Sequence, residues 1–291
     1  MPDSFIPFPT FNPVAISAGP WHLTWPVDVT LGPLSIRWYA LAYIVGIVIG
    51  WWYIRREIST PRLWNAIPRP HAIEIDDFVT WATLGIILGG RLGYVIFYDP
   101  VHYLADPADI IQIWHGGMSF HGAVAGLWLA MWRYSHPRSF SAYTLFDLVT
   151  SAAPIGLFFG RIANFINGEL WGRPTDVPWG VLFPRAGELP RHPSQLYEMA
   201  MEGFVLFLVL RYLTHHRQAL SRPGEVAAVF AIGYGLARII AEFFREPDAQ
   251  LGYILGFVTM GQILSLPMIG IGLWVLLGAR GRAEKSETVK G

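Results

Sequence analysis

Seven runs of mostly apolar residues, near 36–54, 78–98, 118–134, 143–165, 196–213, 225–244 and 254–278, constrain this chain more than any other feature. About 20 apolar residues in a helix cross the hydrocarbon layer of a bilayer. Within lipid, only helices and closed barrels satisfy every backbone N–H and C=O. The third run is short and the seventh contains Pro267, so their ends are the softest. A soluble domain carries about a quarter charged residues, whereas this chain has 14% charged against 53% hydrophobic, with a mean hydropathy of +0.38. The expected fold is an all-α polytopic membrane protein with seven transmembrane helices. One membrane domain over 36–278 would follow an amino-terminal arm, 1–35, and precede a tail, 279–291.

Basic residues in the loops orient the spans. The loops after runs one, three and five hold Arg55, Arg56, Arg62 and Arg69, then Arg133 and Arg138, then Arg211, Arg217 and Arg222. With Arg280, Arg282, Lys285 and Lys290 these make 13 on one side, against Arg173, Arg185, Arg191 and Arg245 on the other. The amino terminus is therefore expected outside and the carboxyl terminus in the cytoplasm. Residues 1–30 contain no Lys or Arg and no clean apolar run, so they do not read as a cleaved signal peptide. Phe5, Phe8, Phe11, Trp21 and Trp25 suit an arm lying among lipid headgroups. Small residues four apart, Gly85/Gly89/Gly93, Gly156/Gly160 and Gly233/Ala237/Ala241, predict close helix packing.

Four arginines remain inside the runs: Arg37, Arg91, Arg161 and Arg238. A charge at mid-bilayer costs about 3 kcal/mol on insertion scales, so such residues face a polar interior. Counting along each helix at about 1.5 Å per residue puts all four in the outer half, with Glu198, Glu202 and Glu242. Tyr234, Arg238 and Glu242 recur every fourth residue, and Tyr39/Tyr43, Arg91/Tyr94/Tyr98 and Glu198/Glu202 each share a helix face. This predicts an outward-facing chamber of Arg and Tyr suited to a phosphate diester. Two plainer readings stay open: Arg37 snorkelling to the interface, and Arg238 with Glu242 as a structural ion pair. With no cysteine, a thiolate nucleophile or disulfide of the chain's own is excluded. Zero net charge gives no field for nucleic acid.

The most specific stretch runs from Gly160 to Gly172: Gly160-Arg161-Ile162-Ala163-Asn164-Phe165-Ile166-Asn167-Gly168-Glu169-Leu170-Trp171-Gly172. It resembles the signature of the prolipoprotein diacylglyceryl transferase family, G-R-x-(G/A)-N-F-x-N-x-E-x-x-G, at every fixed position. Arg37-Trp38-Tyr39, Gly89 to Tyr94, Gly116 to Gly122, Arg191 to Glu198 and Gly233 to Arg245 look like further family blocks in the family's order, so the likeness covers about residues 8 to 270. The resemblance implies a multi-pass protein of the bacterial inner membrane with its active site toward the periplasm. It would move the diacylglyceryl group of phosphatidylglycerol onto the lipobox cysteine of a preprolipoprotein, forming a thioether and releasing glycerol phosphate. No cofactor or metal is implied.

His121, or else Tyr234, is the candidate base for the substrate thiol. Arg161 and Arg238 are the candidates to grip the phosphate and stabilise the leaving group, with Arg91 as a further lipid contact. Resemblance adds Tyr39, Asn164, Gly172 and Glu242 to the site, and Glu169 reads as a support for the loop. An anion transporter would show internal repeats, and none is found. A serine protease using Ser119 and His121 fails because residues two apart on a helix diverge. No H-E-x-x-H motif occurs, and Asp76 and Asp77 fall on the cytoplasmic side, away from the chamber.

Overall fold

The computed structural model describes residues 5–9, 12, 14–24, 28–247, 254 and 258–288. Among them, helices cover all seven apolar runs. We label these α1 (Trp38–Ile58), α2 (Ala72–Phe97), α3 (Phe120–Ser135), α4 (Ala142–Ile166), α5, α6 (Glu225–Glu242) and α7 (Met260–Thr288). α5 is composite, passing from α-helix at Ser194–Glu198 through a π-helix at Met199–Val205 to α-helix again at Leu206–His216. Four helices are long and apolar enough to cross a membrane: α1, α2, α4 and the Met260–Ala279 part of α7. The other three fall short for visible reasons. α3 has 16 residues, α5 changes its winding, and α6 carries Glu225, Arg238 and Glu242.

Local chemistry explains most of the helix ends. Ser119 Oγ accepts from Gly122 N at the start of α3, and Ser141 Oγ accepts from Thr144 N at the start of α4. α6 starts after Gly224, with no cap from its own neighbourhood. The buried Asp147 of α4 reaches across instead and accepts from Gly224 N at 2.6 Å and Ala227 N at 2.8 Å. Pro154 and Pro267 lie inside α4 and α7 without ending either.

α1 packs chiefly against α4, α2 against α3, and α6 against α7, while α4 also lies along α5 and α6. The glycine ladder of α2 meets one in α3. A Cβ at Gly85 would sit 2.6 Å from the Gly126 carbonyl, and one at Gly89 2.7 Å from Gly126 Cα. A Cβ at Gly46 would lie 3.2 Å from Gly156 Cα, a looser approach, and a Cβ at Gly156 or Gly160 meets nothing within 4 Å, so the Gly156/Gly160 spacing does not mark a close contact of its own. The apolar core gathers at one end of the bundle, around Leu63, Trp64, Phe78, Tyr134, Leu145, Leu148, Leu210 and Leu220. Most of the buried charge gathers at the other, Glu57 and Asp147 being buried at the apolar end.

Two expectations about the ends of the chain change. The last helix runs from 260 to 288, through most of the stretch read as a tail. The arm is built of short strands: Val14–Ala18 pairs antiparallel with Leu34–Arg37, and Trp21–Leu23 with Val29–Leu31. Ile6–Pro7 pairs in parallel with Val181–Leu182, in the loop between α4 and α5. Phe8, read as an interfacial side chain, packs its ring against Phe165 and Phe183 at 5.7 and 5.3 Å. Trp21 does remain exposed, while Phe11 and Trp25 lie outside the described residues.

The α2–α3 contact gives a paired test. Gly126→Ala forces a methyl into the α2 backbone and should destabilise by about 1–3 kcal/mol, whereas Gly160→Ala should leave stability within about 0.5 kcal/mol. Thermal melts of the two variants in one detergent make the comparison.

Candidate active site

The buried charges converge on α5. Its π-helical turn begins directly after Glu198 and contains Glu202. The wider winding of a π-helix, common at functional sites, brings both carboxylates inward, where each is essentially fully buried. Close approach of the backbones fixes the depth, since a Cβ at Gly203 would lie 2.8 Å from Phe158 Cα on α4.

Arg161, one turn further along α4, places Nη2 2.8 Å from Glu198 Oε2 and 3.0 Å from Glu202 Oε2. The Glu202 contact is a hydrogen bond. The Glu198 contact is close but out of line, so it is ionic only, and Glu198 Oε2 has no hydrogen-bond donor among the described residues. Arg238 of α6 joins the same oxygen at 3.5 Å and reaches Glu242 Oε1 at 2.5 Å. Arg245, just beyond α6, closes on Glu198 Oε1 at 3.4 Å. Glu198 is thus shared by three guanidinium groups from three parts of the chain. Isolated, any of these ions would be expelled from so dry a place; together they are tolerated.

The cluster is not saturated. Arg161 Nη1 and Arg238 Nε have no hydrogen-bond partner among the described residues, and both side chains keep about 15% of their surface open. Tyr234, four residues before Arg238, lies within electrostatic reach of Glu202, Arg161, Arg238 and Glu198. Tyr39, hydrogen-bonded to Tyr43 at 2.9 Å, lies within reach of Glu169 and Arg161. The structure therefore brings together Arg161, Arg238, Glu242, Tyr234 and Tyr39.

The loop after α4 frames this cluster. Asn164 donates to Glu169 Oε1 at 2.9 Å, and Asn167 donates to the same oxygen at 3.4 Å. Glu169 thus supports the loop as expected, while Gln195 and Ser194 at the head of α5 bond the carbonyls of Glu169 and Leu170. Gly172, added to the site by resemblance, is not in the left-handed region, so its role is close approach rather than a turn. Its backbone is wedged between two strands of chain, where a Cβ would meet the Phe244 and His192 carbonyls at 2.5 and 2.6 Å. Arg173 reinforces this clamp by bonding the carbonyls of Arg245 and Glu242. Burial holds the neighbouring His192 imidazole below the usual histidine range.

Two expected residues stand apart from the cluster. Arg91 directs all its N–H groups at backbone carbonyls of Asp109, Ile110, Gln112, Gly116 and Gly117, at 2.6–3.4 Å. With every donor engaged, it organises the loop between α2 and α3 and has no donor left for a lipid phosphate. His121 sits in the first turn of α3, beside that loop, exposed and with its ring edge-on to Phe120. It has no hydrogen-bond or ion-pair partner among the described residues. Helical spacing puts Glu198 and Glu202 on one face without giving them a role, and Arg173 and Arg245 enter the sequence reading only as loop charges. The four-residue spacing of the two glutamates was the available signal.

Such a fold and site define a helical membrane protein with a buried arginine–glutamate centre at one end of its bundle. Residues 26–278 match the family model described as prolipoprotein diacylglyceryl transferase. The chain belongs to that family. Similar proteins include the phosphatidylglycerol–prolipoprotein diacylglyceryl transferases of Mesorhizobium japonicum, 50% identical over 96% of this chain and 94% of its relative, and Sinorhizobium medicae, 54% identical over 89% and 93%. The Methylocella silvestris protein of the same name is 56% identical over 85% and 91%.

Because Glu198 serves three arginines and Glu242 one, their removal should differ. Glu198→Ala should destabilise by about 3–5 kcal/mol, as expected for buried charges left uncompensated, and Glu242→Ala by less. Equal losses in thermal unfolding would contradict the shared-carboxylate geometry.

Proposed function

We propose that this chain transfers the diacylglyceryl group of phosphatidylglycerol to the lipobox cysteine of preprolipoproteins, at the periplasmic face of a bacterial inner membrane. One observation carries the reading. Arg161, from the Gly160–Gly172 signature, and Arg238, from another helix, meet over Glu198 with donors still open. The names of the relatives, which cover nearly the whole chain, support the same substrates. A seven-span arrangement with the amino terminus outside is supported by the helices over all seven apolar runs and by the 13-to-4 division of basic residues.

The incoming thiol loses its proton and the sulfur attacks the glyceryl carbon that carries the phosphate ester. The new C–S bond forms as the C–O bond breaks, and the electron pair leaves on glycerol phosphate. Arg161 Nη1 and Arg238 Nε offer the phosphate two cationic donors already fixed in place, where developing charge is stabilised without reorganisation. Glu198, Glu202 and Glu242 hold those guanidiniums and make the site neutral before substrate arrives. A lipid monoanion then adds one negative charge, which draws the arginines toward the phosphate in competition with the glutamates. Tyr39 and Tyr234 border the cluster and provide hydroxyls for the headgroup. Asn164 acts through Glu169 by fixing the loop.

His121 remains our assignment for the thiol proton. A thiol has a pKa of about 8.5, so at neutral pH it needs help to become a nucleophile, and an exposed imidazole without a partner is free to supply it. On this reading the thiol meets His121 at the start of α3, while Arg161 on α4 and Arg238 on α6 hold the lipid phosphate.

Two variants test these roles. Arg161→Lys keeps one charge but loses the guanidinium fork, and should reduce transfer to a lipobox peptide by about 100-fold or more; near-normal rates would remove Arg161 from the site. His121→Gln should slow transfer about 100-fold at neutral pH with phosphatidylglycerol binding intact. The deficit should shrink above about pH 8.5, where the thiol ionises unaided. A pH-independent deficit assigns the proton to another group.

A further inference from the structure

Far from the arginine–glutamate cluster, the other end of α5 carries a second concentration of positive charge. Glu202 and His215 are 13 residues apart, about 20 Å along the helix axis. Arg211, His215 and His216 meet Arg62, from the turn at Pro61–Leu63, around a cavity of about 340 Å³ that Leu208 and Tyr212 also line. No carboxylate lines it. Arg62 and Arg211 have no ion-pair partner among the described residues, and Arg56 adds its field at His215. The buried Glu57 lies within electrostatic reach of Arg211 and accepts from Ser151 Oγ at 2.6 Å, but it does not line the cavity. The excess charge at the cavity is therefore positive.

The lining is ordered as well as charged. Leu208, Tyr212 and His216 recur every fourth residue, so one stripe of α5 passes from aliphatic to phenolic to imidazole over about 12 Å. Leu208 is 47% and Tyr212 56% exposed. The Tyr212 ring stacks on His216 at 5.2 Å. His215 engages Thr214 Oγ1 through Nδ1 at 2.8 Å, which leaves Nε2 for a ligand.

From this arrangement we infer a second lipid site, which holds the phosphate of an anionic phospholipid in the leaflet opposite the active site. Placement in that leaflet rests on the transmembrane reading above. Two guanidinium forks suit a phosphate group, and basic pockets beside transmembrane helices take anionic headgroups. A zwitterionic lipid would bring an ammonium that finds no carboxylate in the lining. Inorganic phosphate would satisfy the charge but leave the Leu208–Tyr212 stripe uncovered, so the lipid fits the whole surface.

The test counts lipids. The full-length protein and an Arg62→Gln/Arg211→Gln variant are placed in nanodiscs of phosphatidylethanolamine with phosphatidic acid, and retained phosphatidic acid is counted by native mass spectrometry. Lipid held in the active site is common to both proteins and cancels. The unaltered protein should retain one more copy, with affinity falling about fivefold for each arginine removed. Equal counts overturn the proposal. So does inorganic phosphate that binds without lipid and displaces the extra copy, which would make this a site for a soluble oxyanion. If the double variant fails to fold, Arg62→Gln alone, on an exposed turn, carries the comparison. The count involves no transfer assay, so it stands or falls apart from the transferase reading.

Discussion

Burying Glu198 among three arginines is the constraint on which the rest of this structure depends. Six ionised side chains, Arg161, Arg238, Arg245, Glu198, Glu202 and Glu242, sit at one end of a helical bundle with almost no access to water. Removing ions from water costs several kcal/mol each even after relaxation. The cost is offset only because they balance in number and because α4, α5 and the end of α6 deliver them to one place. The π-helical turn of α5, the close backbone contact at Gly203 and the clamp at Gly172 all act on that delivery. Each is a backbone device in the service of a charge arrangement.

The same arrangement reconciles two readings of the arginines that look opposed. As structural ion pairs they would be closed to ligand; as a free cationic pocket they would be too costly to bury. Here each guanidinium is held on one edge by carboxylate while Arg161 Nη1 and Arg238 Nε stay open. The glutamates make the empty site affordable without filling it. Arg91 shows the contrast, since five carbonyls take all its donors and leave only a structural role.

Much of the architecture was legible in the sequence because membrane helices write themselves as long apolar runs, and all seven of these helices begin within six residues of those runs' starts. Glycine spacing correctly foretold the α2–α3 ladder, since a period of four on a helix is a geometric statement. The Gly156/Gly160 spacing misled, because a Cβ at either position meets nothing within 4 Å. The strands of the arm were invisible, as two- to five-residue pairings leave no periodicity. For the site, helical spacing placed Arg161, Arg238, Glu242 and the two tyrosines near one another by depth alone. It gave no account of partners, so the hub role of Glu198 and the diversion of Arg91 to loop carbonyls appear only in three dimensions. The cap supplied by Asp147 to α6, 77 residues away along the chain, has no local signal at all.

The division of the bundle into an oily end and an ionic end has a thermodynamic consequence. Contacts around Trp64, Leu145 and Leu210 rest on close packing, because lipid tails are as apolar as these side chains and give helices little solvent force to associate. Ion pairing behaves differently, because the penalty for dehydrating charge eases as temperature rises. Warming therefore favours the ionic end relative to the packed one.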